Sequence, residues 1–216
     1  MSPAARRHRL PMFSASLLAM LFALQCAIAP AVRAADDVDA AIVDRLTDAM
    51  IRMLPVGAIM DEVATKDPAW PVGEKSGKVD ASQLACLRKE LSSEGYRRFM
   101  RGESLAYATR NEATLDEEVK LAEAAAPILG SIVSASIGGK AVDSKAELAK
   151  LSADQMLAFL SFAYEPKYAG LRQLSGYGEF PGDGAEQKDQ KAMQMVMIKM
   201  TLRAMGTCDV SPAHIF

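Results

Sequence analysis

Residue types that build common catalytic sites are scarce in this sequence. Its 216 residues include two histidines, three cysteines and one tryptophan. A G-x-S-x-G segment, which forms the nucleophile elbow of many hydrolases, is absent. The segment SIGGK, residues 136–140, lacks the spacing of a phosphate-binding loop. These gaps favour a protein that is not an enzyme, and an unrecognised hydrolase remains one alternative.

Strand signals are equally scarce. Alternating runs of valine, isoleucine, threonine and aromatic residues are missing, while alanine, leucine, methionine, glutamate, lysine and glutamine dominate. This composition predicts an all-α protein. We expect a compact, irregular bundle of six to eight helices that forms one domain over residues 35–216.

The N-terminal residues predict an export signal. Three arginines precede an apolar run over about residues 10–30, and Val32-Arg33-Ala34 then places small residues where signal peptidase reads them. We expect a signal peptide over residues 1–34, cleaved after Ala34 or, as second choice, after Ala35; an uncleaved anchor is the alternative. No later apolar run reaches the roughly 18 residues of a spanning helix. The mature protein is therefore expected in a bacterial periplasm or outside the cell.

Loss of the signal makes the chain acidic. It removes four arginines and no acidic residue, so the formal net charge of −2 becomes −6. Nucleic-acid-binding proteins present a basic face, and this chain is not expected to bind nucleic acid. An acidic surface is instead steered towards a basic protein partner.

Two cysteines remain after signal removal, Cys86 and Cys208. An even pair in an oxidising compartment predicts a disulfide. Chain-entropy arithmetic gives at most about 5 kcal/mol for so long a loop. The alternative is two inert buried thiols. With the cysteines paired and only His214 left among the histidines, we expect no zinc site and no other cofactor.

Periodicity and capping signals place the helices. Apolar residues at three- and four-residue steps predict a first helix from about residue 36 to Pro55, then helices over 56–64, 81–91 and 93–109. Two capping boxes predict further helix starts, Thr114 with Glu117 and Ser152 with Gln155. A last helix is expected over about residues 186–205.

The segment LSADQMLAFLSFAYEPKYAGLRQL, within residues 151–175, carries a helix–turn–helix pattern. It has a polar start, an apolar run, two aromatic residues, a proline, a glycine and a further apolar position. These are Ser152, Met156–Leu160, Phe162, Tyr164, Pro166, Gly170 and Leu171. The pattern resembles domain-of-unknown-function family 2059, although Ala163 separates the aromatic residues that the family sets side by side. This resemblance implies a helical, exported bacterial protein and supplies no catalytic residues.

The segment KAMQMVMIKM, residues 191–200, contains four methionines. On a helix, Met193, Met197 and Met200 share one side and Met195 points the opposite way. Three converging thioethers suit Cu(I), so a copper-binding periplasmic protein is an alternative function. The helix is apolar almost all round, however, which favours a helix buried on most sides with methionines as core fillers.

Two loops carry aromatic residues suited to binding. Trp70 lies between two prolines, and Tyr177 and Phe180 lie among glycines and a proline. Tryptophan and tyrosine dominate interface hot spots, although such rings also close the ends of helical cores. We predict these three as partner-binding residues of a protein that binds another protein. The most concrete form is a periplasmic immunity or inhibitor protein that covers the cleft of a toxin or enzyme.

Overall fold

The computed structural model describes residues 38–137, 146, 148–178 and 185–214. The predicted signal peptide and Phe180 lie outside these residues. Within them there are eight α-helices and no strand, and one disulfide is present. The prediction of an all-α bundle of six to eight helices is therefore confirmed. The helices are α1 (Ala40–Met53), α2 (Val56–Lys66), α3 (Ala81–Glu90), α4 (Ser93–Arg110), α5 (Leu115–Ile137), α6 (Ala153–Tyr164), α7 (Ala169–Ser175) and α8 (Ala185–Thr207).

Helix α1 lies at the centre of the packing. Its side chains at Val43, Leu46, Met50 and Met53 recur at three- and four-residue steps and are almost fully buried. This stripe packs most extensively against α5 and then against α4. Helix α2 packs on α4, and α6 packs on α5. The arrangement leaves α4 with a face that α1 and α2 do not cover.

The disulfide fixes the C-terminal end of α8 to α3. Cys86 and Cys208 are bonded across a sequence separation of 122 residues, as predicted, with their Cα atoms 5.7 Å apart. Gln83 Nε2 adds a hydrogen bond of 2.8 Å to the carbonyl oxygen of Asp209. Among the described helices, α8 packs most closely against α3. None of the helices in the described residues is long and apolar enough to cross a membrane.

One of the two predicted capping boxes forms. Ser152 Oγ accepts from the Gln155 backbone N–H at 3.2 Å, and the Gln155 side chain accepts from the Ser152 N–H at 3.0 Å. The prediction of a capping box formed by Thr114 and Glu117 is wrong. Thr114 Oγ1 donates to Glu118 Oε1 at 3.0 Å, and the Glu117 carboxylate is held by residues outside its own helix. Glu117 thus binds partners about 50 residues away in place of the local cap.

The prediction that the last helix is buried on most sides is also wrong. Helix α8 turns only part of its surface to the core, and over residues 191–207 four side chains are buried: Val196, Met200, Ala204 and Met205. On another side, Met195, Ile198 and Leu202 form an exposed apolar stripe at i, i+3 and i+7. The side chain of Met195 is 53% exposed. More of α8 therefore faces solvent than its apolar sequence indicates.

Candidate binding cleft

A cleft of about 850 Å³ lies between α4, α7 and the middle of α8. Its size falls in the range of about 300–1,000 Å³ that is usual for ligand sites. Apolar side chains form much of its lining, namely Phe99, Met100, Tyr107, Leu174, Met195 and Val196. Charged side chains stand beside them, namely Glu103, Arg110, Lys191 and Lys199. The cleft thus joins an apolar floor to a largely cationic rim.

The cleft exists because α8 is fixed at two places. At Met193 and Val196, in its middle, it passes the end of α7 at Gly176, which has φ +82°. A side chain at Gly176 would lie 2.9 Å from Leu54 Cδ2 and 3.4 Å from Val196 Cγ2, so only glycine suits both the backbone conformation and the space. At its C-terminal end the disulfide holds α8 to α3. Between these points, long side chains bridge α8 to α4.

Helix α8 runs antiparallel to α4. Lys199 Nζ lies 3.3 Å from Glu103 Oε2, and the Arg203 guanidinium lies close to Gly102. Further along α8, Thr207 shares a smaller cavity with Gly95. Residue numbers therefore rise along α8 as they fall along α4. Arg110, near the end of α4, consequently lies at the same end of the cleft as Lys191.

Tyr107 forms part of the cleft floor. Its ring packs against α7 at Gly170, where a Cβ atom would lie 3.3 Å from the ring. Burial, and next the nearby carboxylate of Glu118, raise the pKa of Tyr107 above its ordinary value. The phenol is therefore protonated at neutral pH. Glu118, with 4% exposure, is a buried carboxylate.

A charged cluster positions the α7 wall. Glu117 Oε1 accepts hydrogen bonds from Tyr168 Oη at 2.6 Å and from Lys167 Nζ at 3.0 Å. The hydrogen bond from Tyr168, and next the ammonium of Lys167, lower the pKa of Glu117. These contacts join α5 to the turn that leads into α7. No local sequence pattern indicates these contacts, because the partners lie about 50 residues apart.

Two of the predicted aromatic anchors pack inwards. Trp70 is half-buried against the core, and its carbonyl oxygen accepts from Arg88 Nε at 2.9 Å. The hydroxyl of Tyr177 donates to the carbonyl oxygen of Met53 at 2.9 Å, and its ring meets Phe162 edge to face at 6.3 Å. Neither residue lines the cleft. Their placement favours the alternative in which they close the core, and partner binding by Trp70, Tyr177 and Phe180 stays a prediction.

The methionines of α8 have different surroundings. Met193, Met197 and Met200 lie on the same side of the helix at increasing depth, from 39% exposed through half-buried to 2% exposed. Core filling therefore explains Met200 well and Met193 poorly. Met195 lines the cleft instead. In the described residues no three His, Cys, Asp or Glu side chains are grouped as metal ligands would be, and copper binding by the three methionines stays a prediction.

A second exposed apolar stripe lies on α6. Leu157, Leu160 and Tyr164 recur at i, i+3 and i+7, and Leu157 is 63% exposed. The three residues are not part of the cleft lining. They provide a natural control surface, because the stripe matches that of α8 in spacing and lies on another helix.

Comparisons of the chain with protein-family models, with curated proteins and with solved structures gave no match. The resemblance of residues 151–175 to family 2059 therefore stays a prediction. The geometry and charges of the cleft carry the functional inference.

Proposed function

We propose that this is an exported, non-enzymatic protein that acts by binding another protein in the cleft between α4, α7 and α8. The observation that carries the proposal is the apolar lining of that cleft together with the exposed apolar stripe of α8, in which Met195 is half-exposed at the cleft edge and Ile198 and Leu202 follow it along the helix. When a partner covers apolar side chains that were exposed to water, the free energy falls by about 25 cal/mol for each Å² buried. Large exposed apolar patches commonly mark interaction sites.

The shape of the cleft favours an elongated occupant. It extends along α4 from Phe99 to Asn111, which spans about 18 Å at 1.5 Å per residue. This length equals about three turns of a helix. Recognition of an amphipathic helix in an apolar groove is a recurrent mode of protein binding.

The proposed compartment is the periplasm or the exterior of the cell. The disulfide between Cys86 and Cys208 is compatible with export, because such bonds persist in oxidising compartments. The arginines and apolar run of residues 1–34 support the same proposal through their signal-peptide pattern.

An immunity or inhibitor role is the narrower form of this proposal. The sequence suggested loop aromatics that would enter the cleft of a toxin or enzyme. The inward packing of Trp70 and Tyr177 favours the reverse arrangement, in which the partner contributes the inserted segment. Such binding still blocks a partner if the inserted segment is needed for its activity.

Site-specific photocrosslinking tests the proposal in the organism that makes the protein. A photoreactive residue replaces Met195 in the cleft or Leu157 on α6, and both positions are exposed on helices. We expect a protein adduct from position 195 and none from position 157. Adducts from position 157 alone, or only small-molecule adducts at position 195, would show that the cleft is not a protein-binding site.

A further inference from the structure

The charges of the described residues around the cleft are unbalanced. Arg110 and Lys191 are both exposed, and neither forms a salt bridge within the part of the chain that the structure describes. Lys199 is paired with Glu103 at 3.3 Å. Among the described residues that line the cleft, three cations therefore face one carboxylate, although the chain as a whole is acidic. An interface whose local charge opposes the net charge selects its partner by that local charge.

The imbalance is confined to one end. Because α8 is antiparallel to α4, the paired Lys199 and Glu103 lie at one part of the cleft, and Arg110 and Lys191 lie further along it. Lys191 and Lys199 are two helical turns apart, which corresponds to about 12 Å. In its described lining, the cleft thus has a cationic end, an apolar middle and an end where Lys199 and Glu103 neutralise each other.

We propose that the occupant of the cleft is an amphipathic helix that carries carboxylates at one end, where they meet Arg110 and Lys191. This inference rests on the proposed protein-binding function and names the chemistry of the partner. The apolar side of the helix covers Leu174 and Met195. The carboxylates at its acidic end pair with Arg110 and Lys191, which form no salt bridge within the described residues. The basic partner expected from the net charge is replaced by one with a local acidic segment.

Defined peptides test the proposal on the purified, disulfide-bonded protein. Three fluorescein-labelled helical peptides of about 18 residues share one leucine stripe and carry glutamate, glutamine or lysine at one end. Fluorescence polarisation measures their binding at low and at moderate salt. We expect the glutamate peptide to bind about tenfold more tightly than the glutamine peptide, since two exposed ion pairs contribute up to about fivefold each. We expect salt to remove most of this difference.

Paired variants test whether Arg110 and Lys191 cause the preference for the glutamate peptide. Arg110→Gln with Lys191→Gln should reduce the affinity for the glutamate peptide to that for the glutamine peptide, with the glutamine peptide unchanged. Lys66→Gln with Lys89→Gln changes the net charge equally at residues outside the cleft and should leave both affinities within about twofold. Met195→Glu should weaken all three peptides, and Leu157→Glu should weaken none.

The contrary outcomes separate the two proposals. If the lysine peptide binds as tightly as the glutamate peptide, the proposal of an acidic occupant is wrong, while the proposal that the cleft binds a protein is supported. If no peptide binds but the long-chain carboxylate oleate does, in a manner lost in Met195→Glu, both proposals are wrong and the cleft takes a small amphiphile. If neither the peptides nor oleate bind, the proposal of an acidic helix as occupant is also wrong. Peptide binding lost in Leu157→Glu alone would move the site to α6 and overturn both.

Discussion

Removal of the disulfide should release α8 and dismantle the cleft before the rest of the protein unfolds. The change is the double variant Cys86→Ala with Cys208→Ala. The bond closes 122 residues, and the chain-entropy relation assigns about 5 kcal/mol to a loop of that length. Losses measured for native disulfides run from about 2 to 5 kcal/mol. In a domain of this size such a loss lowers Tm by roughly 4–20 °C.

The structure predicts where this loss first appears. Helix α8 packs closely on α3, where the disulfide lies, and reaches α4 through long side chains such as Lys199. Helix α1, in contrast, is buried between α4 and α5. Segments with few buried contacts open at lower free energy than the core does. The variant should therefore lose the protection of α8 first.

Hydrogen exchange measured by mass spectrometry resolves the two helices. In the variant, peptides from α8 should exchange much faster than in the native protein, while peptides from α1 keep most of their protection. Fluorescence of Trp70, the single tryptophan, reports global unfolding in urea because its ring packs against the core. Equal loss of protection in α1 and α8 would refute the reasoning, since it would mean that α8 belongs to the same cooperative unit as the core.

Three further perturbations address individual residues. The triple variant Met193→Leu, Met197→Leu and Met200→Leu should fold with a cost below about 1.5 kcal/mol for each residue; a stoichiometric Cu(I) site that only the native protein shows in titration would instead support the copper alternative. Trp70→Ala should lower Tm and leave peptide binding in the cleft within twofold, because the ring packs inwards; tenfold weaker binding at unchanged Tm would restore Trp70 as a partner anchor. The pKa of Glu117 is lowered in the fold, so its stabilising contribution is present above the ordinary pKa of 4.5 and is lost as the pH falls from there through the lowered pKa. Glu117→Gln should therefore flatten the decline of Tm between about pH 5 and pH 3. An unchanged decline would show that the Glu117 carboxylate does not cause the decline.

Most helices could be predicted because their signals are local. Pro55 separates α1 from α2, and Ser152 with Gln155 starts α6, as the sequence indicated. The predicted ranges 81–91 and 93–109 differ from α3 and α4 by one residue at one end. Each of these signals acts over a few residues, where side-chain chemistry decides the backbone conformation. The disulfide was predictable because only two cysteines remained to pair.

The cleft could not be predicted because it depends on distant contacts. Arg110 and Lys191 lie on different helices, and only the antiparallel path of α8 along α4 brings them to one end of a groove. That path depends on the disulfide and on the close approach at Gly176. Periodicity shows that a helix has apolar faces, but it does not show which face another helix covers.

The two apolar sides of α8 are the feature that most constrains the function. One side, which includes Met200, fills the core, while Met195, Ile198 and Leu202 remain exposed. The exposed stripe starts at the cleft and runs along α8 away from Lys191, since residue numbers rise in that direction. An occupant with its acidic end beside Arg110 and Lys191 would therefore direct its apolar remainder along this stripe. Charge sets the orientation of such a partner and the exposed apolar side chains supply the free energy of binding, so both features are explained by one occupant.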